Sequence, residues 1–170
     1  MPRRSRRAER ALSWALLGLG VLVALGAAPA RAELAGAVDG RPLFGVDARY
    51  GGAALAELWG RRQIVRPGLS FGLGALSDSD DASSRVFTPL AFSLAVMPSM
   101  EASGFVAVAR LGGYAGAEKG GFIAGGFASG ALGYGISLGE GASFRMMVDV
   151  WALIGTRGGV FLGPALGLGF

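Results

Sequence analysis

The sequence contains no cysteine and no histidine. Without cysteine the folded chain cannot be stabilised by disulfides, so its stability must come from packing or from a membrane. Without histidine it lacks the commonest general base and the commonest ligand of transition metals. Ser–His catalysis, Cys–His catalysis and the usual zinc sites are therefore excluded. The sequence predicts a protein that is not an enzyme and that holds no cofactor and no metal.

Positive charge is concentrated at the N-terminus. The chain has 16 basic and 12 acidic residues, and six of the basic residues and one of the acidic residues precede Glu33. The rest of the chain therefore has 10 basic and 11 acidic residues, a formal charge of −1. Because the high isoelectric point belongs to the N-terminal segment, the sequence predicts no nucleic-acid partner.

Residues 1–32 have the three parts of a secretory signal peptide. Arginines dominate the first ten residues, and an apolar run extends from Ala11 to Ala28. Ala30 and Ala32 then stand at the two positions that a signal peptidase reads. The alternative is an uncleaved anchor, but the run falls short of the roughly 20 apolar residues that a spanning helix needs. The sequence therefore predicts export and cleavage near Ala32.

Glycine is unusually abundant after this segment. Of the 31 glycines, 28 follow residue 32, which is about a fifth of that part of the chain against a typical share of ~7%. Glycine in a helix interior costs about 1 kcal/mol relative to alanine. In a strand it permits tight bends and close approach of neighbouring backbones. The composition therefore favours an all-β fold.

Alternation of two side-chain faces, the pattern of a β-strand, begins at Leu43. Residues 33–42 show no clear period and are interpreted as a flexible leader. The segment Ala53–Ile64 fits a short helix, part of a long loop or a strand extension. Because it could hide a further strand, ten strands remain an alternative to eight. The eight predicted strands cover about residues 43–50, 66–76, 85–97, 103–114, 121–129, 132–138, 144–154 and 160–170.

The two faces of these strands differ in a way that favours a membrane. One face is apolar, and the other carries glycine, serine and a few charges. A soluble sandwich would present a polar face to water, whereas this second face suits the crowded interior of a narrow barrel. The strand-like segments recur about every 16 residues between Leu43 and Phe170, which leaves room for the about 9–11 residues of a membrane-spanning strand. The sequence therefore predicts an antiparallel transmembrane β-barrel over residues 43–170, with a soluble exported β-sandwich as the alternative.

The last predicted strand carries apolar residues at alternate positions and an aromatic residue at its end, namely Leu162, Leu166, Leu168 and Phe170. This pattern resembles the assembly signal of bacterial outer-membrane β-barrel proteins, and the predicted barrel resembles their small eight-stranded class in size. The resemblance implies contact with outer-membrane lipid and recognition of this strand by the barrel-assembly machinery. Pro164 departs from the pattern because proline cannot donate to a strand ladder, and a bulge is one way to accommodate it.

If the apolar faces meet lipid, five charged residues point into the lumen, namely Asp47, Arg49, Arg110, Arg145 and Asp149. Buried charges must be paired to be tolerated. We favour a structural ion-pair network, because eight-stranded barrels are usually filled by side chains. The alternative is a narrow polar pathway.

The sequence thus predicts a small outer-membrane barrel with a structural or interaction role in the cell envelope. A narrow channel or a small-ligand-binding barrel is the alternative function. Nothing in the residues specifies a ligand or an oligomeric state.

Overall fold

A computed structural model describes residues 34–47, 49–60, 64–78, 84–97, 103–118, 121–155 and 158–170. Its strands are β1 (Leu34–Gly45), β2 (Arg49–Gly60), β3 (Val65–Asp78), β4 (Ser84–Val96), β5 (Gly104–Glu118), β6 (Gly121–Gly139), β7 (Ala142–Ile154) and β8 (Gly159–Gly169). The predicted signal peptide, with Ala30 and Ala32, lies outside the described residues.

The eight strands form one closed antiparallel barrel. Each strand pairs with the next one along the chain, and β1 pairs with β8 to close the sheet. None of the described residues lies in a helix long and apolar enough to span a bilayer. The predicted all-β barrel of eight strands is therefore confirmed, and the ten-stranded and sandwich alternatives are wrong.

The strands run alternately up and down between the two ends of the barrel. We call the end where β1 begins and β8 ends the lower end, and the end that carries the β1–β2 connection the upper end. The β6–β7 turn at the lower end has positive φ at Gly139 (86°), Glu140 (49°) and Gly141 (79°). Two of these three positions are glycine, which adopts this backbone conformation without a steric penalty.

The prediction of a flexible leader is wrong, because residues 34–42 belong to β1 and pair with β2 along their whole length. The alternation of β1 is hidden in its composition. Its lumen-facing row mixes alanine with charged residues, and its outward row contains Gly40 and Pro42. The usual contrast between an apolar face and a polar face is therefore weak in this strand.

Two errors in the predicted strands cancel, so the total of eight is still correct. One strand too few was predicted for the region of β1 and β2, and one too many for the region of β6. The predicted strand over residues 43–50 spans the turn between β1 and β2, and Ala53–Ile64 contributes to β2 rather than to a helix or an extra strand. The predicted strands over 121–129 and 132–138 are two halves of β6, which continues through Gly130 and Ala131. Glycine within a strongly curved strand is not a turn signal by itself.

Pro164 causes no bulge. The pairing of β8 with β7 continues without a shift from Ser143 and Gly169 to Leu153 and Gly159. The register with β1 is likewise the same on both sides of Pro164.

Candidate functional site

Six charged side chains meet in the middle of the lumen and form a closed ring of alternating sign. We call this set the charge ring, and its members are Asp39 and Arg41 of β1, Glu57 of β2, Arg110 of β5, and Arg145 and Asp149 of β7. Side chains of a strand alternate between its two faces. All six of these residues occupy the positions of that alternation that face the lumen.

Each arginine of the charge ring contacts two carboxylates. Arg145 Nη2 donates to both carboxylate oxygens of Asp39 at 2.8 Å and to Glu57 Oε2 at 3.5 Å. Arg110 Nε donates to Glu57 Oε1 at 2.5 Å, and its Nη1 donates to Asp149 Oδ2 at 3.2 Å. Arg41 Nη1 donates to Asp149 Oδ2. The ring closes between Arg41 Nη2 and Asp39 Oδ2, which are 3.6 Å apart.

Serine side chains add hydrogen bonds around the charge ring. The Ser70 hydroxyl donates to Glu57 Oε1 at 3.1 Å, and Arg110 Nη1 donates to the Ser129 hydroxyl at 3.0 Å. The ring has three positive and three negative members, so its formal charges balance. Removing one member of such a desolvated set leaves an uncompensated charge, which is strongly destabilising.

Apolar side chains pack on both sides of the charge ring. The lower cluster, towards the lower end, contains Ala35, Ala37, Trp59, Ala95, Met97, Val106, Val108, Ala131, Met147 and Ala165. The upper cluster contains Leu43, Ala53, Leu55, Leu76, Phe87, Ala91, Tyr114, Phe127, Trp151, Leu153 and Phe161. The lumen is therefore layered, with charge in the middle and apolar packing above and below it.

A tryptophan from each apolar cluster covers the charge ring. The Arg145 guanidinium lies 5.0 Å from the centre of the Trp59 ring, and the Arg41 guanidinium lies 5.3 Å from the centre of the Trp151 ring. Both indoles are fully buried. Because an aromatic face attracts a cation, these contacts stabilise the arginines while excluding water from the charge ring.

Aromatic edge-to-face contacts make the upper cluster continuous. Trp151 contacts Phe127 with ring centres 4.8 Å apart and Phe87 with ring centres 6.3 Å apart. Phe87 in turn contacts Tyr114 at 6.0 Å. Such geometry is favourable for aromatic pairs, and it places side chains of four strands, β4 to β7, in contact within the lumen.

The upper rim of the barrel carries a separate set of charges. Arg49 Nη2 donates to Asp47 and to the carbonyl of Gly158 at 2.8 Å, and its guanidinium lies 5.4 Å from the centre of the Phe161 ring. The hydrogen bond from Arg49 lowers the pKa of the Asp47 carboxyl. Asp47 lies in the β1–β2 turn and its side chain is 44% exposed. Its predicted position inside the lumen is therefore wrong.

The structure brings together three of the five lumen charges that the sequence suggested. Arg110, Arg145 and Asp149 belong to the charge ring, whereas Arg49 lies at the upper rim with Asp47. Sequence reasoning missed the other half of the ring, because Asp39 and Arg41 fell in the supposed leader and Glu57 fell in the ambiguous segment. The available signal was the spacing of Asp39 and Arg41, since residues two apart on a strand share a face.

No group of three His, Cys, Asp or Glu side chains suited to a metal ion occurs in the parts of the chain that the structure describes. The carboxylates of the charge ring instead have arginine partners. The three arginines of the charge ring thus balance the charge of its three carboxylates.

The apolar residues of the last strand face away from the lumen. Leu162, Leu166, Leu168 and Phe170 are all exposed on the outer face, as is Pro164 between them. Phe170 also exchanges two backbone hydrogen bonds with Gly36 of β1, at 2.7 and 2.9 Å. The predicted assembly signal is thus an outward row on the strand that closes the barrel.

Gly167 of β8 makes room for the Asp39 carboxylate. A Cβ at this position would collide with Asp39 Oδ1, so Gly167→Ala must displace Asp39 and weaken its bonds to Arg145. We expect this substitution to lower the free energy of unfolding by about 1–3 kcal/mol, as measured by urea titration of the protein folded in lipid vesicles.

The matched control is Gly40→Ala, on the outer face of neighbouring β1. A Cβ at Gly40 would have no neighbouring atom within 4 Å, so we expect no loss of stability. Equal losses from the two substitutions would contradict the role of Gly167 in seating Asp39.

Comparisons with solved structures agree with this architecture. The chain is similar to the Neisserial surface protein A, with a TM-score of 0.63 and 9% identity over 80% of this chain and 95% of that one. It is also similar to the N-terminal β-barrel domain of Pseudomonas aeruginosa OprF, with a TM-score of 0.50 and 12% identity over 80% of this chain and 97% of that one. At these identities the likeness shows the fold. No protein-family model and no curated protein sequence matches the chain.

Proposed function

We propose that the protein is a small outer-membrane β-barrel with a closed lumen and a structural or interaction role in the cell envelope. The observation that carries this proposal is the distribution of charge between the two faces of the barrel. The barrel fold shared with the two bacterial structures supports it.

Every charged side chain within the eight strands occupies a lumen-facing position of the alternation. These residues are Asp39, Arg41, Arg49, Glu57, Arg66, Asp78, Arg85, Arg110, Glu118, Arg145 and Asp149. The outer face instead exposes large apolar residues on all eight strands, such as Phe71, Leu90, Phe105 and Leu132. Soluble monomers rarely expose apolar patches larger than a few hundred Å², whereas an apolar exterior is what a bilayer requires.

Closure of the sheet supports a position inside the bilayer. In hydrocarbon every backbone N–H and C=O group needs an internal partner, and a closed barrel supplies one because it has no edge strand. The antiparallel pairs of this barrel run from β1 through β8 and back to β1. The protein can therefore cross a membrane without exposing a row of unpaired backbone groups.

The layered lumen supports a structural role over transport. The six side chains of the charge ring are at most 3% exposed, and the apolar clusters cover them on both sides. An ion crossing this lumen would have to pass two dehydrated apolar layers, which is costly for a charge.

We also propose that the outward row of β8 is what the barrel-assembly machinery recognises.

Fractionation of a Gram-negative host that expresses the full chain tests the location. We expect the protein in the outer-membrane fraction, with a band whose mobility on a denaturing gel changes when the sample is boiled, because a closed barrel resists unfolding in detergent until it is heated. A periplasmic band with no change on boiling would end the proposal.

Planar bilayer recordings test the closed lumen. We expect no stepwise conductance from the folded protein, because the charge ring and the two apolar clusters leave no continuous aqueous path. The heat-shifted band in the same preparation is the control for correct folding. Discrete conductance steps from that preparation would favour the narrow-channel alternative.

A further inference from the structure

The seam between β1 and β8 contains a break in its pairing. Ala37–Gly40 pairs with Leu166–Gly169, and Phe44–Gly45 pairs with Phe161–Leu162. The register is the same on both sides, yet the residues between these two stretches are not paired. They are Arg41, Pro42 and Leu43 of β1 and Gly163, Pro164 and Ala165 of β8.

Two prolines facing each other account for this break. In an antiparallel ladder every second pair exchanges two backbone hydrogen bonds. Gly36 and Phe170 form such a pair at the lower end of the seam. Counting in steps of two along both strands makes Pro42 and Pro164 the fourth pair of this type. Neither proline has a backbone N–H, so both hydrogen bonds of that pair are missing and two carbonyl groups face each other.

The break is confined to the seam. β1 stays paired with β2 from Leu34 to Phe44, and β8 stays paired with β7 throughout. The two strands therefore keep their other partners while they lose contact with each other. Between the intact pairs at Gly40 and Phe44 the seam runs for four residues, or about 13 Å, without a backbone hydrogen bond.

Pro89 of β4 provides a comparison within the same barrel. The β3–β4 ladder is also interrupted at this proline, between the pairs Phe71–Leu90 and Gly74–Phe87. The same count, starting from the bond of Met97 N–H to the Ile64 carbonyl, places Gly72 opposite Pro89. Gly72 keeps its own N–H, so only one backbone hydrogen bond is lost at that pair. The pair of prolines in the seam loses both of its backbone hydrogen bonds.

We propose that the seam between β1 and β8 is a built-in lateral opening of the barrel, at which the facing prolines let the two strands separate locally towards the bilayer. The lumen-facing neighbours on β8 are Gly163, which has no side chain, and Ala165, which has only a methyl group, so the wall is thin at the break. Arg41 lies directly behind it, in the charge ring. Local opening therefore connects the membrane with the charged layer from the side, between the two apolar clusters.

The test uses thiol labelling, because the chain has no cysteine. Ala165→Cys places a thiol on the lumen side of the break, and Ala95→Cys places one in the same lower cluster on β4. Both alanines are 0% exposed. With the full-length protein folded in vesicles, we expect a lipid-soluble maleimide to label Ala165→Cys at least about tenfold faster than Ala95→Cys, since buried thiols react only through local opening.

A third variant separates this proposal from the proposed function on which it rests, namely that the chain is embedded in a bilayer. Val150→Cys lies on the outer face of β7, and in a bilayer this thiol should be protected from a charged, water-soluble maleimide because the reagent does not enter hydrocarbon and the thiolate does not form there. If Val150→Cys reacts with the charged reagent in intact vesicles, membrane embedding fails and the lateral opening fails with it. If Val150→Cys is protected while Ala165→Cys and Ala95→Cys react equally slowly with the lipid-soluble reagent, the barrel is embedded and the lateral opening alone is overturned.

Restoring the missing donors tests the role of the prolines. In a Pro42→Ala/Pro164→Ala background we expect labelling of Ala165→Cys to fall to the rate of Ala95→Cys. Unchanged fast labelling would overturn the assignment of the opening to the prolines. Equal labelling by a charged, water-soluble maleimide would also overturn it, because that reagent enters through an end of the barrel.

Amide hydrogen exchange gives the same test without a cysteine. Leu162 and Leu166 belong to pairs that bond across the seam, whereas the neighbouring lumen-facing residues of β8, such as Phe161 and Ala165, bond to β7. We expect the amides of Leu162 and Leu166 to exchange at least about tenfold faster than those of Phe161 and Ala165. Equal exchange of both sets would overturn the proposal.

Discussion

Replacing Glu57 with glutamine is expected to lower the free energy of unfolding by about 3–5 kcal/mol. Glu57 is 1% exposed and accepts hydrogen bonds from Arg110, Arg145 and Ser70. Glutamine preserves the shape of the side chain, but it removes one of three negative charges and leaves the charge ring with an uncompensated positive charge. Urea-induced unfolding of the protein in lipid vesicles, followed by tryptophan fluorescence, measures the loss.

Asp47→Asn is the matched control for this substitution. It also changes a carboxylate into an amide beside an arginine, but the Asp47 side chain is 44% exposed in the β1–β2 turn. An exposed ion pair contributes about 0–1 kcal/mol, because water replaces most of the lost interaction. Comparable losses from Glu57→Gln and Asp47→Asn would show that the charge ring does not contribute to stability as proposed.

A double variant separates charge balance from packing. Glu57→Gln/Arg110→Gln removes one charge of each sign from the charge ring, which restores its neutrality. We expect the double variant to lose less free energy of unfolding than the sum of its two single variants, because contacting residues of one network couple. An additive loss in the same urea titration would indicate that each residue acts alone.

The sequence predicts the fold best where the outward row is continuous and large. The predicted strands over residues 144–154 and 160–170 differ from β7 and β8 by one or two residues. In both strands large apolar residues alternate with smaller or polar ones, so the period of two is unmistakable. In β1 and β2 alanine and glycine occur on both faces, and the outer face then cannot be distinguished from the lumen by hydropathy.

The same difference explains the outcome for the candidate site. Arg110, Arg145 and Asp149 lie in strands that were recognised, so alternation sufficed to assign them to the lumen. Which charges pair with which could not be predicted, because Arg41 and Asp149 are 108 positions apart in the chain. Their contact depends on the closure of the barrel and on the stagger of its strands. Neither is encoded in any local pattern.

An arginine in the middle of the outer face should be strongly destabilising if that face meets lipid. Leu90 lies at the centre of β4, and its side chain is 54% exposed. We expect Leu90→Arg to lower the free energy of unfolding by about 2–4 kcal/mol in vesicles, because a guanidinium near the bilayer midplane must be dehydrated or must draw water and headgroups inward.

Leu138→Arg is the control that isolates depth from exposure. Leu138 is 61% exposed on the same outer face, but it lies next to the β6–β7 turn at the lower end. Arginine there can extend its charge to the interface, so the expected loss is only about 0–1 kcal/mol. The two leucines have nearly equal exposure, so a larger loss of free energy of unfolding at Leu90 cannot come from exposure. Hydrocarbon at the level of Leu90 is the physical cause of such a difference. If both substitutions are tolerated equally, the outer face meets water, and neither the membrane location nor a lateral opening towards the bilayer can hold.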